Sequence, residues 1–310
     1  MRYGVIMSSI TADRLLLLAV DGGGTRCRAR LADLAGNILG EAVTGPANIR
    51  LGLEESLAEV AAATRHCLNQ AGLNGQENKL IACLALAGAC EPSARSRAQA
   101  SPLPFYRTTL TSDAQAACVG AHAGRDGGII IVGTGSVGWG IAAGREFRVG
   151  GWGFPLSDEG SGAWLGCEVL SQVLRAYDGV RPWTALLRSV FEQFEADAYA
   201  IVRWMRNARP RDYASLSPLI VAHAEQGDAA GRDLLRAAAA HVAIMATRLV
   251  ALGAVRLSLM GGLSDKIEPY LSKETRDCLV PPLGDALSGA LALARAEALR
   301  LHPHMAIADV

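Results

Sequence analysis

Residues 15–30, LLLLAVDGGGTRCRAR, constrain the fold more than any other part of the sequence. The apolar run 15–20 ends at an aspartate and three glycines, which is typical of a strand buried on both faces, although periodicity alone leaves a short helix possible. After the glycines, arginines alternate with small or apolar residues, which is the period of a second strand. The segment therefore predicts a β-hairpin with its turn at residues 21–25.

This turn has the chemistry of a phosphate-binding loop. Gly22, Gly23 and Gly24 allow positive φ and, with Thr25, are expected to leave backbone N–H groups uncovered for a nucleotide phosphate. Asp21 is then expected to hold Mg²⁺ through water. A hairpin turn without a ligand is the structural alternative. A Walker-type phosphate loop is excluded because no lysine follows a glycine.

Composition indicates a globular protein that acts on a small molecule. The 310 residues are 50% hydrophobic, which suits two domains, and 30 basic residues balance 30 acidic ones, so no net field attracts nucleic acid or an anionic membrane. The seven cysteines are widely spaced without a Cys-x-x-Cys pair, which favours reduced core thiols in a cytoplasmic protein. The first 13 residues lack the pattern of a signal peptide, so neither export nor a membrane anchor is expected.

The first half of the chain predicts the order β-β-β-α-β-α-β, with polar residues in two of its loops. Asn48 follows the third strand, where an asparagine that only caps or turns is the simpler local interpretation. Asp113 stands at a strand tip and a helix start. It is either an N-cap or a general base, since ligands of open α/β sheets lie beyond strand ends.

A second strand–turn–strand unit occupies residues 127–140, with its turn at Gly133, Thr134, Gly135 and Ser136. The turn matches a dinucleotide fingerprint by pattern, but it leads into a strand rather than a helix, which excludes that fold. Two copies of one unit predict two related halves that close on one phosphate chain.

The glycine-rich loop 150–166 is predicted to bind a sugar. An exposed Trp152 can cover the apolar face of a sugar ring while Asp158 and Glu159 accept hydrogen bonds from its hydroxyls. An acidic helix start that complements the helix dipole is the alternative. The helices over residues 183–252 are expected to supply bulk rather than chemistry. Gly261 and Gly262, at the end of a later strand, are expected to lie flat against adenine or ribose.

With these motifs in hand, the chain resembles the N-acetylglucosamine kinase and bacterial glucosamine kinase family, which is BadF/BadG/BcrA/BcrD ATPase-like and belongs to the actin and hexokinase-like superfamily. Four motifs occur in the family's order over most of the chain: DGGGT at 21–25, GTGS at 133–136, MGG at 260–262 and GDALSGAL at 284–291. The GGWG and DEGSG segments resemble the hexosamine kinase branch. Ser157 departs from that branch, which usually has glycine there.

The resemblance implies a role for each matched residue. Asp113 would be the catalytic base and Asp21 the metal site. The sugar would contact Asn48, Asp113, Ser136, Gly151, Trp152 and Asp158. ATP would contact Gly22, Gly23, Gly24, Thr25, Gly133, Thr134, Gly135, Gly261 and Gly262.

We therefore expect an α/β protein with two ribonuclease H-like, actin-like ATPase domains flanking a nucleotide and sugar cleft. The first would span residues 14–118 with the returning helix 289–310, and the second residues 119–288 with a helical insert. The expected reaction is Mg·ATP-dependent phosphorylation of the 6-hydroxyl of an amino sugar, with N-acetyl-D-glucosamine first and glucosamine or an N-acetylmuramic-type sugar as alternatives. The family further implies a homodimer, and the cysteines favour a cytoplasmic location. An ATPase activator is less favoured because the paired cysteines for its cluster are absent, and a sugar-sensing regulator because no DNA-binding segment is appended.

Overall fold

The computed structural model describes residues 15–303. The start of the chain, where no signal peptide is predicted, and residues 304–310 of the predicted first domain lie outside the described residues. The described chain divides into two compact units, residues 15–125 with 283–303, and residues 126–282.

Strands and helices alternate along the described chain in an α/β order, as the sequence predicts. The strands are β1 (Leu16–Gly22), β2 (Cys27–Ala32), β3 (Ile38–Thr44), β4 (Leu80–Leu86), β5 (Arg107–Thr111), β6 (Gly127–Val132), β7 (Ser136–Ala142), β8 (Arg145–Gly150) and β9 (Leu257–Met260). The helices are α1 (Leu53–Gln70), α2 (Pro92–Ala100), α3 (Asp113–His122), α4 (Gly162–Tyr177), α5 (Ala185–Glu192), α6 (Ala198–Met205), α7 (Pro210–Ala214), α8 (Ser217–Glu225), α9 (Ala229–Ala251), α10 (Ser264–Ile267), α11 (Lys273–Asp277) and α12 (Ala286–Leu301). Short 3-10 helices lie at Glu77–Lys79 and Glu268–Tyr270.

Within its described residues, the first unit contains a five-stranded sheet in the order β3-β2-β1-β4-β5. β1 pairs antiparallel with β2 and parallel with β4, so the predicted hairpin is confirmed. The apolar run of β1 is buried on both faces. Leu18 and Val20 pack in a cluster with α1, whereas Leu17 and Ala19 pack with Ala290 and other small residues of α12. Burial on both faces explains why this strand has a continuous apolar sequence.

The helix α12 belongs to the first unit and packs closely on α3. A β-carbon at Gly289 would overlap the backbone of Ala116, and one at Gly120 would overlap the carbonyl of Asp285. Glycine at both positions allows the two helix backbones to approach, which brings Asp285, the N-cap of α12, to the ends of β1 and β2.

The second unit contains a four-stranded sheet, within its described residues, in the order β8-β7-β6-β9. The helical segment α4 to α9 packs on it around one apolar core that includes Ile130, Leu165 and Val242. Among residues 15–303, α9 is long and apolar enough to cross a membrane by length and composition. A core helix of a soluble protein meets the same test, and α9 contributes ten buried residues to this unit.

The unit boundaries differ from those expected from the sequence. The expected boundary after residue 118 falls inside α3, and the one before residue 289 falls inside α12. A continuous helix packs as one body, so the structure divides the chain at residues 125 and 282 instead.

Four of the cysteines are buried in the first unit: Cys27, Cys67, Cys83 and Cys118. Burial raises the pKa of the Cys27 and Cys83 thiols to about 12 and that of Cys67 to about 11. These groups therefore remain protonated thiols at neutral pH and behave as core side chains. The expectation of core thiols does not extend to Cys90, which is exposed.

Candidate active site

The first glycine turn joins β1 to β2 and is tied to two neighbouring loops. The Gly23 N–H donates to the Arg26 carbonyl at 2.9 Å, while the Gly23 and Gly22 carbonyls accept from Ala47 at 2.9 Å and Ala87 at 2.7 Å. The positive φ that glycine allows is not used in this turn, because no residue of the segment 22–24 has it. Gly22 is instead required by packing, since a β-carbon there would lie 2.6 Å from Leu86 Cδ2. The turn itself is open, since a β-carbon at Gly24 would meet nothing within 4 Å.

Asp21 lies at the end of β1, directly opposite Arg28 in the β1–β2 register. Arg28 Nε and Nη2 donate to Asp21 Oδ2 at 3.1 and 2.6 Å. Both bonds go to one carboxylate oxygen, which leaves Oδ1 for another partner. A carboxylate oxygen is a hard donor that suits Mg²⁺, which is commonly bound by one or two carboxylates, substrate phosphates and waters.

The described part of the chain has no metal site built from protein side chains alone. Among residues 15–303, no group of three or more His, Cys, Asp or Glu side chains could hold a metal ion. A cation at Asp21 would therefore draw its other ligands from a bound nucleotide and from water, and the donor set at this turn fits Mg²⁺ on those terms.

Asp113 is the first residue of α3 but is not its N-cap. The cap is Ser112, whose Oγ accepts from the Gln115 N–H at 3.0 Å, so the N-cap interpretation of Asp113 is wrong. Asp113 Oδ1 accepts from the Ala114 N–H at 2.9 Å. Burial raises the pKa of the Asp113 carboxyl, and the negative charge of Asp21 raises it further. A carboxyl with a raised pKa, beyond a strand end, is suited to proton transfer.

Asn48 lies in the loop after β3, and its side chain makes a local turn. Its Oδ1 accepts from the Arg50 N–H at 3.1 Å, as the local interpretation of the sequence predicts. The next residue, Ile49, donates to the Ala87 carbonyl at 3.1 Å, and Ala87 also binds the first glycine turn. The loop that carries Asn48 and the predicted phosphate turn are thus both hydrogen-bonded to Ala87. The side-chain oxygen of Asn48 is occupied, and its NH₂ group is the remaining donor.

The second glycine turn, residues 133–136, is fastened to the start of α4. Gly162 and Ala163 donate their N–H groups to the Gly133 and Thr134 carbonyls at 2.8 and 3.0 Å. Ser136 is buried, and its hydroxyl donates to the Glu159 carbonyl at 2.8 Å. The structure therefore uses the Ser136 hydroxyl, predicted to contact the sugar, to hold this turn against the loop 157–161.

The loop that carries Trp152 is closed by hydrogen bonds to the DEGSG segment. The Trp152 N–H donates to Ser157 Oγ at 3.3 Å, and the Gly153 N–H donates to Asp158 Oδ1 at 3.0 Å. Gly151 has φ +70°, and Asp158 has φ +68°. Ser157, the departure from the family pattern, thus supplies an acceptor that glycine lacks, and it is buried in doing so.

The Trp152 side chain is 74% exposed, as predicted for a residue that covers a ligand. One of its faces is already covered, because the Arg148 guanidinium lies 3.7 Å from the ring centroid. Such a cation–π contact fixes the orientation of the indole and leaves the opposite face for a ligand.

The second unit contains a cavity of about 450 Å³ beside the second glycine turn. Its lining residues are Gly133, Thr134, Gly162, Ala214, Ser217, Pro218, Val221, Ala222, Glu225, Gly262, Leu263 and Lys266. Lys266 Nζ and Glu225 Oε1 form an ion pair of 2.9 Å. A volume of this size and a mostly apolar wall with few polar groups are typical of small-molecule sites.

The cavity corrects the expectation that the helices after residue 183 supply only bulk. The end of α7 and one face of α8 along its whole length form one wall, which no motif marks. The sequence signal that could have found these helix residues is weak. Ser217-Pro218 marks a helix start, but only the structure shows that this helix lies beside the second glycine turn. Gly261 does not line the cavity but has φ +101° and lies against the Val132 backbone, so it shapes the turn that presents Gly262.

Comparisons with known proteins show which family the chain resembles along its length. The chain is 42% identical over 278 residues to glucosamine kinase GspK of Vibrio cholerae, which covers 89% of this chain and 95% of that protein. It is 25% identical over 303 residues to an N-acetylmuramic acid/N-acetylglucosamine kinase of Clostridium acetobutylicum, covering 91% of this chain and 98% of that one.

A solved structure from Chromobacterium violaceum, assigned provisionally as an N-acetylglucosamine kinase, superposes with a TM-score of 0.85 at 32% identity. The match covers 91% of this chain and 99% of that one. The predicted two-domain, actin-like ATPase fold is thereby confirmed. The model of the BadF/BadG/BcrA/BcrD ATPase family matches residues 18–291. With most of its length matched, and with the glycine turns inside the matched region, the chain belongs to the BadF/BadG/BcrA/BcrD ATPase family.

Proposed function

We propose that this protein is an ATP-dependent amino-sugar kinase that phosphorylates the sugar 6-hydroxyl. The observation that carries the proposal is the position of the second glycine turn, residues 133–136. On one side the turn borders the cavity, and on the other it contacts Asp158 of the Trp152 loop. A nucleotide-sized site and a sugar-type platform thus share one structural element, and relatives of known amino-sugar kinase activity match nearly the whole chain.

The cavity is the proposed nucleotide site. Its apolar walls, such as Val221 and Leu263, suit a nucleobase, and the Glu225–Lys266 pair supplies the polar groups. Phosphates would meet the N–H groups of Thr134 and Gly24, because Gly133 and Gly23 already donate theirs to the Gly135 and Arg26 carbonyls at 2.9 Å. Backbone N–H groups in glycine turns bind phosphate oxygens without a side chain.

Each unit contains residues that the family resemblance assigns to the sugar. In the second, the uncovered face of the Trp152 ring would stack on a sugar ring while Asp158 accepts hydrogen bonds from hydroxyls. In the first, the Asn48 NH₂ group would donate to the sugar. Asp113 would accept the proton of the 6-hydroxyl as its oxygen bonds to the γ-phosphorus of ATP and the bond from that phosphorus to ADP breaks.

Mg²⁺ is proposed at Asp21, through the Oδ1 atom that Arg28 leaves open. When bound, it would neutralise charge on the phosphates. The chain's own residues would orient the nucleotide, hold the sugar and remove its proton.

We place glucosamine first among substrates, because the relative of that activity is 42% identical along 95% of its own length. This reverses the order expected from the sequence motifs. N-acetyl-D-glucosamine is the second candidate, supported by the structural match at 32% identity.

The test is ADP release by the purified protein with Mg·ATP and, separately, glucosamine, N-acetylglucosamine, N-acetylmuramic acid, glucose or no sugar, with ³¹P NMR of the product. We expect sugar-dependent turnover and a 6-phosphate. ATP hydrolysis at the same rate without sugar would identify an ATPase instead. Sugar binding without turnover would identify a regulator. Cytoplasmic location and a homodimer remain predictions, to be tested by fractionation and light scattering.

A further inference from the structure

Arg28 contacts the predicted metal carboxylate through a forked hydrogen bond. It lies in β2 opposite Asp21, and its Nε and Nη2 groups both donate to Asp21 Oδ2. A guanidinium is planar and rigid, so two donors on one oxygen restrict the rotation of the carboxylate. The fork therefore determines which oxygen of Asp21 is free.

The third donor of Arg28 reaches a different part of the chain. Nη1 donates to Asp285 Oδ2 at 2.7 Å. The other oxygen of Asp285 accepts from the Ser288 N–H and hydroxyl, each at 3.0 Å, and caps α12. Arg28 is thus itself anchored by a carboxylate that a helix start holds in place, so its guanidinium has little freedom to move.

Folding stability is not the main consequence of the triad formed by Asp21, Arg28 and Asp285. Its side chains are between 17% and 40% exposed, and ion pairs of this exposure contribute little to folding. Arg30, on the same face of β2, forms a comparable pair with Glu41 at 2.7 Å, on the solvent side and away from the turn. Arg28 differs from Arg30 in what its partner does, because Asp21 stands at the phosphate turn.

We propose that Arg28 is a positioning residue for the metal–nucleotide complex. By holding Asp21 Oδ2, it orients Oδ1 for the cation that accompanies the nucleotide. The proposal rests on the proposed function, specifically on Mg·nucleotide binding at this turn. Partners that orient a metal-binding carboxylate in this way are needed for full metal affinity.

Charge alone predicts the opposite effect. Asp21, Asp285 and Arg28 sum to one negative charge, and removal of the guanidinium would leave two, which attracts a cation more strongly. If positioning dominates, loss of Arg28 weakens the metal-dependent part of nucleotide binding. If charge dominates, loss of Arg28 strengthens it. The two explanations differ in sign, so one measurement separates them.

The experiment is calorimetry of ADP binding to the full chain, once with Mg²⁺ and once with EDTA. Wild type is compared with Arg28→Gln, Arg28→Lys, Asp285→Asn and the control Arg30→Gln. We expect wild type to bind ADP more tightly with Mg²⁺. In Arg28→Gln this gain should fall by about 10- to 100-fold, the usual effect of removing a partner that orients a metal ligand. Binding in EDTA should stay near wild type.

The other variants test the geometry. Arg28→Lys keeps the charge but cannot form the fork, so it should lose part of the gain. Asp285→Asn keeps the helix cap, since asparagine caps as well as aspartate, but removes the anchoring charge, and it should give an intermediate loss. Arg30→Gln should match wild type. Melting curves identify any variant that fails to fold, and Arg28→Lys then carries the test.

An unchanged or larger Mg²⁺ gain in Arg28→Gln, with a normal melting curve, would overturn the positioning role while leaving the kinase proposal intact. A wild-type protein that binds no ADP under either condition would instead overturn the proposed function, and the inference with it. Whether the wild-type protein binds ADP therefore distinguishes failure of the proposed function from failure of the positioning role.

Discussion

The Asp158 carboxylate lies against Gly135: a β-carbon at Gly135 would lie 2.5 Å from Asp158 Oδ2. Gly135 does not have positive φ, so glycine is needed there for space rather than for backbone conformation. Since Asp158 Oδ1 also accepts from the Gly153 N–H, the carboxylate is held between Gly135 of the second glycine turn and Gly153, beside Trp152. This contact connects the proposed phosphate and sugar elements of the second unit.

Gly135→Ala should therefore displace Asp158. We expect the sugar KM to rise by about tenfold, equivalent to about 1.4 kcal/mol of lost binding. Gly133→Ala is the matched control, because a β-carbon there meets nothing within 4 Å, and its sugar KM should change little. Steady-state kinetics with varied sugar decide the matter. Equal sugar KM values in the two variants would show that the Gly135–Asp158 contact does not affect sugar binding.

Asp113→Asn should keep sugar and nucleotide binding but lower kcat by about two to four decades, the usual contribution of a general base. Asparagine still offers an oxygen to the Ala114 N–H, so the fold should be little affected. Ser112→Ala is the control: it removes the true N-cap, costs about 1 kcal/mol of stability and should leave the reaction intact. Near wild-type kcat in Asp113→Asn would assign this residue a structural role.

The pH profile should show the raised pKa of Asp113. A base acts in its deprotonated form, so activity falls as pH drops through that pKa, and burial together with Asp21 raises the pKa above the ordinary 3.8. We expect the acid limb of kcat/KM to lie above pH 3.8 and to be missing from the residual activity of Asp113→Asn. An identical limb in both proteins would assign it to another group.

Trp152→Ala should raise the sugar KM far more than the ATP KM, because the ring is proposed to stack on the sugar alone. Leu156→Ala, at a 93% exposed position of the same loop, controls for a general disturbance of the loop. Kinetics with each substrate varied in turn give both constants. Parallel increases in both KM values, or the same effect in Leu156→Ala, would contradict the stacking role.

Gly289→Ala should destabilise the first unit even though alanine is the better helix former by about 1 kcal/mol. The added methyl group would overlap the Ala116 backbone, and overpacking of this kind costs about 1–3 kcal/mol. Ala296→Ser, at an exposed site of the same helix, should have a small effect. Urea unfolding provides the comparison, and a Gly289→Ala protein as stable as wild type would refute the close crossing of α3 and α12.

Local pattern determined much of this protein. The apolar run before Asp21 predicted a strand covered on both faces, because only such a strand lacks polar alternation, and β1 is that strand. The two glycine turns and the exposed Trp152 were also readable, since each depends on residues adjacent in the chain. The reason for the glycines was not readable: Gly22 is required by Leu86 and Ala47, which follow it in distant segments.

Tertiary structure alone decided the features that depend on residues far apart in sequence. Ser112 rather than Asp113 caps α3, because capping depends on backbone geometry that either residue type could satisfy. The cavity wall from α7 and α8 carries no motif, since apolar residues that line a cavity have the same composition as those that fill a core. The contact of Arg28 with both Asp21 and Asp285 exists only because α12 returns to the first sheet, and no local pattern encodes that return.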